Sequence, residues 1–149
     1  MDNKQEAVKC IRKFNRFYTV LLGFLNQNYL GTGYSVTETR ILFEISQQEG
    51  ISAKQLCDLL KLDKSYMSRM IRSLENNGII YREISASDKR RNCVYLTDRG
   101  RTEVLGLVET TNKDIYQLIE TFDMNICGQI CDAMELILDK FSEISKERK

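Results

Sequence analysis

The sequence predicts a mainly α-helical fold carrying one small β-hairpin. Three observations lead there: apolar residues recur at helical spacing over most of the 149 residues, proline is absent, and one pair of short β-branched and aromatic runs interrupts the helical pattern. Without proline, helix ends have to be set by capping side chains and glycines. At 42% hydrophobic, the chain can bury one real core, whereas two independent domains would be cramped.

The elements follow in order. From Glu6 to about Tyr29, the residues Val8, Ile11, Phe14, Tyr18, Leu21, Leu22 and Leu25 mark one long helix, closed by Gly31-Thr32-Gly33. Ser35 with Glu38 forms a capping box for a second helix, whose buried stripe is Ile41, Leu42 and Ile45 and which stops before Gly50. Ser52 with Gln55 repeats that device. The third helix is short, with Leu56, Leu59 and Leu60 facing inward before a brief turn at Lys61-Leu62.

Asp63 caps a fourth helix, in which Met67, Met70, Ile71 and Leu74 lie on one side and Ser65, Ser68, Arg69 and Arg72 largely on the other. One face packs and the other is free to bind. Asn77-Gly78 stops this helix, because glycine takes the left-handed conformation that lets Ile79 fold back onto the last turn.

Residues 79–84 and 93–96 read as the two strands of a hairpin, with polar residues 85–92 between them. Thr97-Asp98-Arg99-Gly100 then opens a long helix striped by Val104, Leu105, Val108, Ile115, Leu118 and Ile119. Asp123 caps a last helix carrying Ile126, Ile130, Met134, Ile137, Leu138, Phe141 and Ile144. There is no internal repeat and no low-complexity segment.

A net charge of +1 argues against a nucleic-acid binder until its distribution is considered, because phosphate neutralisation needs clustered Lys and Arg. Residues 61–101 hold ten basic side chains against five acids, a local net of +5, which leaves −4 for the rest. Two short helices joined by a tight turn, the second amphipathic and basic, match a helix-turn-helix that lays its second helix in the major groove. The hairpin supplies a wing. Ser65, Tyr66, Ser68 and Arg69 are donors and acceptors able to reach base edges or phosphates, and the Arg69 fork can donate twice to guanine. At the hairpin tip, Lys89-Arg90-Arg91 can approach the negative potential of the minor groove. A basic helix face or a basic loop alone is usually only solvated; the order of the elements is what gives the pattern weight.

The run from Asp63 to Ile80, followed by Ser87-Asp88-Lys89-Arg90-Arg91 and Leu96-Thr97-Asp98-Arg99-Gly100, resembles the MarR family of bacterial regulators. The family's wing carries an Asp-x-Arg element, matched by Asp88 and Arg90, then a Leu-Thr-x-x-Gly element, matched by Leu96, Thr97 and Gly100. The helix order agrees along essentially the whole chain.

The resemblance implies a homodimer: residues 1–30 and 123–149 as dimerisation helices, 35–97 as the winged helix-turn-helix and 98–121 as a long connecting helix. The apolar stripes at both ends agree with this independently, since neither end has enough local chain to cover its own stripe. It implies double-stranded DNA as partner, a roughly palindromic operator, repression as the usual mode, and no cofactor or metal. Asp88 would orient the wing and Arg90 enter the minor groove. DNA contact is carried over to Ser65, Tyr66, Ser68 and Arg69, and also to Lys64, Arg72, Lys89 and Arg91. Tyr66 stands where the family commonly has a smaller residue.

Family members often respond to a small aromatic or phenolic effector, for which Phe14, Phe17 and Tyr18 are candidate lining residues; ordinary packing is the simpler reading of aromatics at helical spacing. Redox sensing through Cys10 is an alternative, although the tyrosine pattern of the peroxide-responsive relatives is not matched. Cys127 and Cys131, four apart on a helix, read as buried helix cysteines rather than as metal ligands. Five irregularly spaced cysteines point to a reducing, cytoplasmic setting. The uncharged stretch 17–37 loses its apolar character near Leu25, too early to span a membrane, and no signal-peptide cleavage site follows it. An enzyme is disfavoured by the lack of histidine, of a Gly-rich phosphate loop and of clustered carboxylates. The run 64–69 also resembles the regulator half of acetyltransferase fusions, whose second half is not in this sequence. A winged-helix module that binds protein instead of DNA is the remaining alternative class.

Overall fold

Capping side chains set the helix boundaries. The computed structural model describes residues 3–26, 33–87 and 92–147. Among these residues run α1 (Asn3–Asn26), α2 (Val36–Gln47), β1 (Ile51–Ser52), α3 (Ala53–Leu60), α4 (Lys64–Asn76), β2 (Ile80–Ile84), β3 (Asn92–Leu96), α5 (Asp98–Ile119) and α6 (Met124–Glu147). Ser35 Oγ accepts from the Glu38 N–H at 3.1 Å while Glu38 Oε1 accepts from the Ser35 N–H at 3.1 Å. Ser52 and Gln55 do the same at 3.1 and 2.9 Å. Single-sided caps start α4, from the Tyr66 N–H to Asp63 Oδ1 at 2.8 Å, and α6, from the Ile126 N–H to Asp123 Oδ1 at 2.8 Å. Each such cap satisfies a helix donor that would otherwise lack a partner and contributes on the order of 1 kcal/mol.

The chain divides into two compact units, residues 1–112 and 113–149, the boundary falling inside α5. The core of the first unit joins Ile41, Leu42 and Ile45 of α2 to Leu56 and Leu60 of α3 and to Met67, Ile71 and Leu74 of α4. Ile79, Ile80, Val94 and Leu96 of the hairpin region and Val104 and Leu107 of α5 complete it. Two expected core residues turn outward. Leu59 is 54% exposed, while Leu56 and Leu60, four apart, carry the buried line of this helix. Leu105 is 70% exposed, next to the buried Val104.

The hairpin gains a strand that periodicity could not reveal. β1 is two residues long and pairs antiparallel with β3, Ile51 opposite Val94 and Ser52 opposite Cys93, giving the order β1-β3-β2. It forms because the Gly50 N–H donates to the Val94 carbonyl at 2.8 Å in a backbone with φ of +93°. Across the hairpin, Ile80 faces Leu96 and Arg82 faces Val94 on the core side, while Tyr81 faces Tyr95 on the other, their rings stacked at 5.3 Å.

The end of α4 is tied to the start of α5. Gly78, at φ of +73°, ends α4 in a Schellman turn, with the Gly78 N–H on the Glu75 carbonyl and the Ile79 N–H on the Leu74 carbonyl, both at 3.0 Å. Thr97 then serves two helices at once. Its hydroxyl accepts from the Gly100 N–H at 3.0 Å, capping α5, and donates to the Gly78 carbonyl at 2.7 Å. The Thr97 N–H donates to the Ile79 carbonyl at 3.0 Å, and the Arg99 guanidinium reaches the Asn77 carbonyl at 3.1 Å. Gly100 lies so close to Ile79 that a Cβ there would run into the Ile79 carbonyl oxygen.

Gly100→Ala should therefore destabilise the fold by about 1–3 kcal/mol, because a backbone atom cannot step aside as a side chain can. Gly106→Ala, on the same helix with open space around it, should be neutral or stabilising by up to about 1 kcal/mol. Urea midpoints of the two variants check the contrast.

Candidate nucleic-acid interface

On α4 the buried line Met67, Ile71 and Leu74 leaves the opposite side to solvent. Lys64, Ser65, Ser68, Arg69, Arg72 and Asn76 are all exposed there. Positions 65, 69, 72 and 76 are separated by whole helical turns, so they form one continuous stripe. Arg69, Arg72, Ser73, Asn76 and Asn77 line an open groove of about 380 Å³ along it. The half-buried Tyr66 sits at the edge of the stripe, and the Arg69 guanidinium carbon lies 5.7 Å from its ring centroid. The stripe carries arginines, serines and an asparagine but no carboxylate. Asp63, the nearest acid at the N-terminal end, is held back by its cap to the Tyr66 N–H.

The structure sorts the basic side chains counted along the sequence. Arg82 does not join the stripe: it grips Glu75 through two hydrogen bonds, Nε to Oε2 at 3.0 Å and Nη2 to Oε1 at 2.9 Å, fastening β2 to the last turn of α4. Hydrogen bonding to Arg82 holds the Glu75 carboxyl below its usual range, and the same bond raises Arg82. Arg101 is held by Glu49 at 3.1 Å and by Asp98 at 3.1 Å, while Glu49 also accepts the Leu96 N–H at 3.0 Å. Arg82, Arg99 and Arg101 are thus structural. Sequence reasoning missed the Glu75–Arg82 clamp; an acid in the last turn of the helix and a base two residues into the following strand was the available signal. Asp88, Lys89, Arg90 and Arg91, the proposed wing tip, lie outside the described residues.

Of the candidate effector-lining residues, Phe14 and Tyr18 stack on each other at 5.2 Å and Phe17 is 64% exposed. A cavity of about 770 Å³ lies elsewhere in the same unit, walled by Leu22 of α1, Val36 and Phe43 of α2, Leu60 of α3, and Val104, Leu107 and Val108 of α5. Arg40 and Glu44 also line it. The structure does not bring the three aromatics into that wall. Cys10 and Cys131 are exposed and Cys127 is half-buried, so the expectation of a buried cysteine pair on the last helix does not hold for Cys131. Burial, reinforced by Asp58 and Asp63, pushes the Cys57 thiol up and away from thiolate chemistry. Among the described residues no group of three or more metal-binding side chains converges, and no helix is long and apolar enough to cross a membrane.

The Glu75 clamp has a definite pH signature. A carboxyl lowered in the folded state contributes stability that is present above its unfolded value, about pH 4, and is lost as pH falls through the folded value. The difference in Tm between the wild type and Glu75→Gln should be largest near neutrality and close on acidification below about pH 4. Thermal unfolding across that range measures it, and a constant difference would show that the charge plays no part.

The family model described as "MarR family" matches residues 34–91, which contain α2 through β2. A transcriptional regulatory protein for the hcr operon of Thauera aromatica is 27% identical over 89 residues, covering 60% of this chain and 49% of that protein. The chain spans a little under half the length of the curated relatives it matches. The crystal structure of the transcriptional regulator SlyA superposes with a TM-score of 0.77 over 94% of this chain and 99% of that one, at 21% identity. CouR from Rhodococcus jostii RHA1, solved with p-coumaroyl-CoA, superposes with a TM-score of 0.68 over 83% of this chain and 87% of that one, at 22% identity. The MarR family model is thus matched across residues 34–91, and the fold of these solved structures is followed along most of the chain.

Proposed function

We propose that the protein binds duplex DNA as a homodimer and regulates transcription, repressing from a roughly palindromic operator. The observation that carries this reading is the acid-free stripe on α4, presented by a helix fixed at both ends, with the Asp63 cap before it and the Gly78 turn and Thr97 tether after it. A helix so fixed can enter a major groove without reorganising, Arg69 and the two serines reading base edges and Arg72 and Lys64 meeting phosphates. Arg90 would complete the contact in the minor groove with Asp88 orienting the wing, and Lys89 and Arg91 would add phosphate charge. Kinship with the regulator from Thauera aromatica supports the same reading.

Dimerisation follows from uncovered apolar surface. On α6, Ile126, Met134, Ile137, Leu138, Phe141 and Ile144 are exposed, as are Val8, Ile11, Phe14 and Leu22 on α1. Apolar exposure on that scale marks an interface. Two-fold pairing would set the two recognition helices about one DNA turn, ~34 Å, apart.

Release by a small molecule is supported by the 770 Å³ cavity, whose apolar wall and single lining guanidinium, Arg40, suit a flat organic acid. CouR, with its bound p-coumaroyl-CoA, lends the class of aromatic acyl compounds. The cavity replaces Phe14, Phe17 and Tyr18 as the proposed effector site.

Affinity for mixed genomic DNA should fall steeply with salt; no binding at low salt would favour a protein-binding module instead. Arg69→Ala should cost about 1–3 kcal/mol on a selected site and relax its specificity, whereas Lys89→Ala should weaken all sequences alike. Ile137→Asp with Phe141→Asp should convert the dimer into a monomer in sedimentation and abolish tight operator binding.

A further inference from the structure

We infer that Tyr66 is the positioning residue for Arg69: its ring holds the guanidinium ready for DNA, and the phenol hydroxyl is not needed for that task. The inference rests on α4 being the DNA-reading helix and adds a division of labour within it. Tyr66 occupies the third helical position, where its own N–H donates to Asp63 Oδ1 at 2.8 Å. The cap therefore fixes the backbone from which the ring projects. Three residues on, the Arg69 side chain crosses back over that ring, its guanidinium carbon 5.7 Å from the centroid, within the range where a cation is attracted to an aromatic face. Arg72 lies on the same stripe, yet it is Arg69 that is placed over the Tyr66 ring.

An exposed arginine loses rotamer freedom when it binds, and that loss subtracts from affinity. A ring beneath it removes part of the loss in advance. A ring offers the guanidinium no oxygen acceptor, so its N–H donors remain available for the two acceptors of a guanine. Tyr66 is half-buried and Arg69 exposed, so the ring is the more constrained partner and the natural support. A smaller side chain at position 66 would leave Arg69 equally charged but less ordered, so the consequence falls on discrimination between sites more than on charge-driven binding.

The test uses the full-length protein. In the DNA-free state, NMR signals of the Arg69 side chain should be shifted upfield by the ring current, a shift kept in Tyr66→Phe and lost in Tyr66→Leu. On a selected operator, Tyr66→Phe should bind like the wild type and Tyr66→Leu about three- to tenfold more weakly, with little change on random DNA. In an Arg69→Ala background, Tyr66→Leu should have no further effect. Loss in Tyr66→Phe equal to that in Tyr66→Leu would assign the contact to the hydroxyl and overturn the inference. An undiminished Tyr66→Leu effect without Arg69, or an absent ring-current shift, would overturn it as well. Failure of the wild type to bind any DNA would instead remove the functional reading, while the DNA-free NMR signal would still report the Tyr66–Arg69 contact.

Discussion

The tether between the end of α4 and the start of α5 is the constraint on which the rest depends. A Schellman turn at Gly78 releases the Gly78 and Ile79 carbonyls, Thr97 binds both of them, and Gly100 brings α5 close against Ile79. Through these bonds the hairpin leaves α4 and returns to the same point. Ile79 and Ile80 are consequently buried beside Leu74 and Leu96. A helix end anchored this way keeps a fixed orientation, as the proposed base readout requires, since such contacts are lost with small misplacements.

Electrostatics divides along the same boundary. Arg82 and Arg101 are bound by Glu75 and by Glu49 with Asp98, and Arg99 is bound by a backbone carbonyl, so each binds one element of the winged domain to another. Among the described residues, by contrast, no salt bridge joins the α4 stripe to an acid. A nearly neutral chain can thus present a locally cationic stripe, because the acids nearest Arg82 and Arg101 are engaged within the scaffold. These ion pairs are partly exposed and contribute modestly to stability; their larger effect is on geometry.

The apolar surfaces carry a different message in each unit. Within residues 1–112 the core closes upon itself around α2, α3, α4 and the sheet. Within 113–149 the α6 stripe has nothing comparable over it, and Met134, Ile137 and Phe141 stand exposed. Hydrophobic burial is the main favourable term in folding, and the surface left open on α6 is what the proposed pairing with a second copy would bury.

Local chemistry determined which elements exist. Ser35 with Glu38, Ser52 with Gln55, Asp63 and Asn77-Gly78 act within four residues of themselves, so the caps, the stop and the amphipathic face of α4 could be read directly from the sequence. Contacts between residues distant in sequence were decided by tertiary structure alone. These include strand β1 opposite Val94, the outward turn of Leu59, the pairing of Glu49 with Arg101, and the walling of a cavity by Leu22, Phe43 and Val108 in place of the first-helix aromatics. Arg82 shows why. Its charge is a property of the sequence, but whether that charge faces DNA or Glu75 depends on the register that sets it opposite Val94, and register is a long-range property.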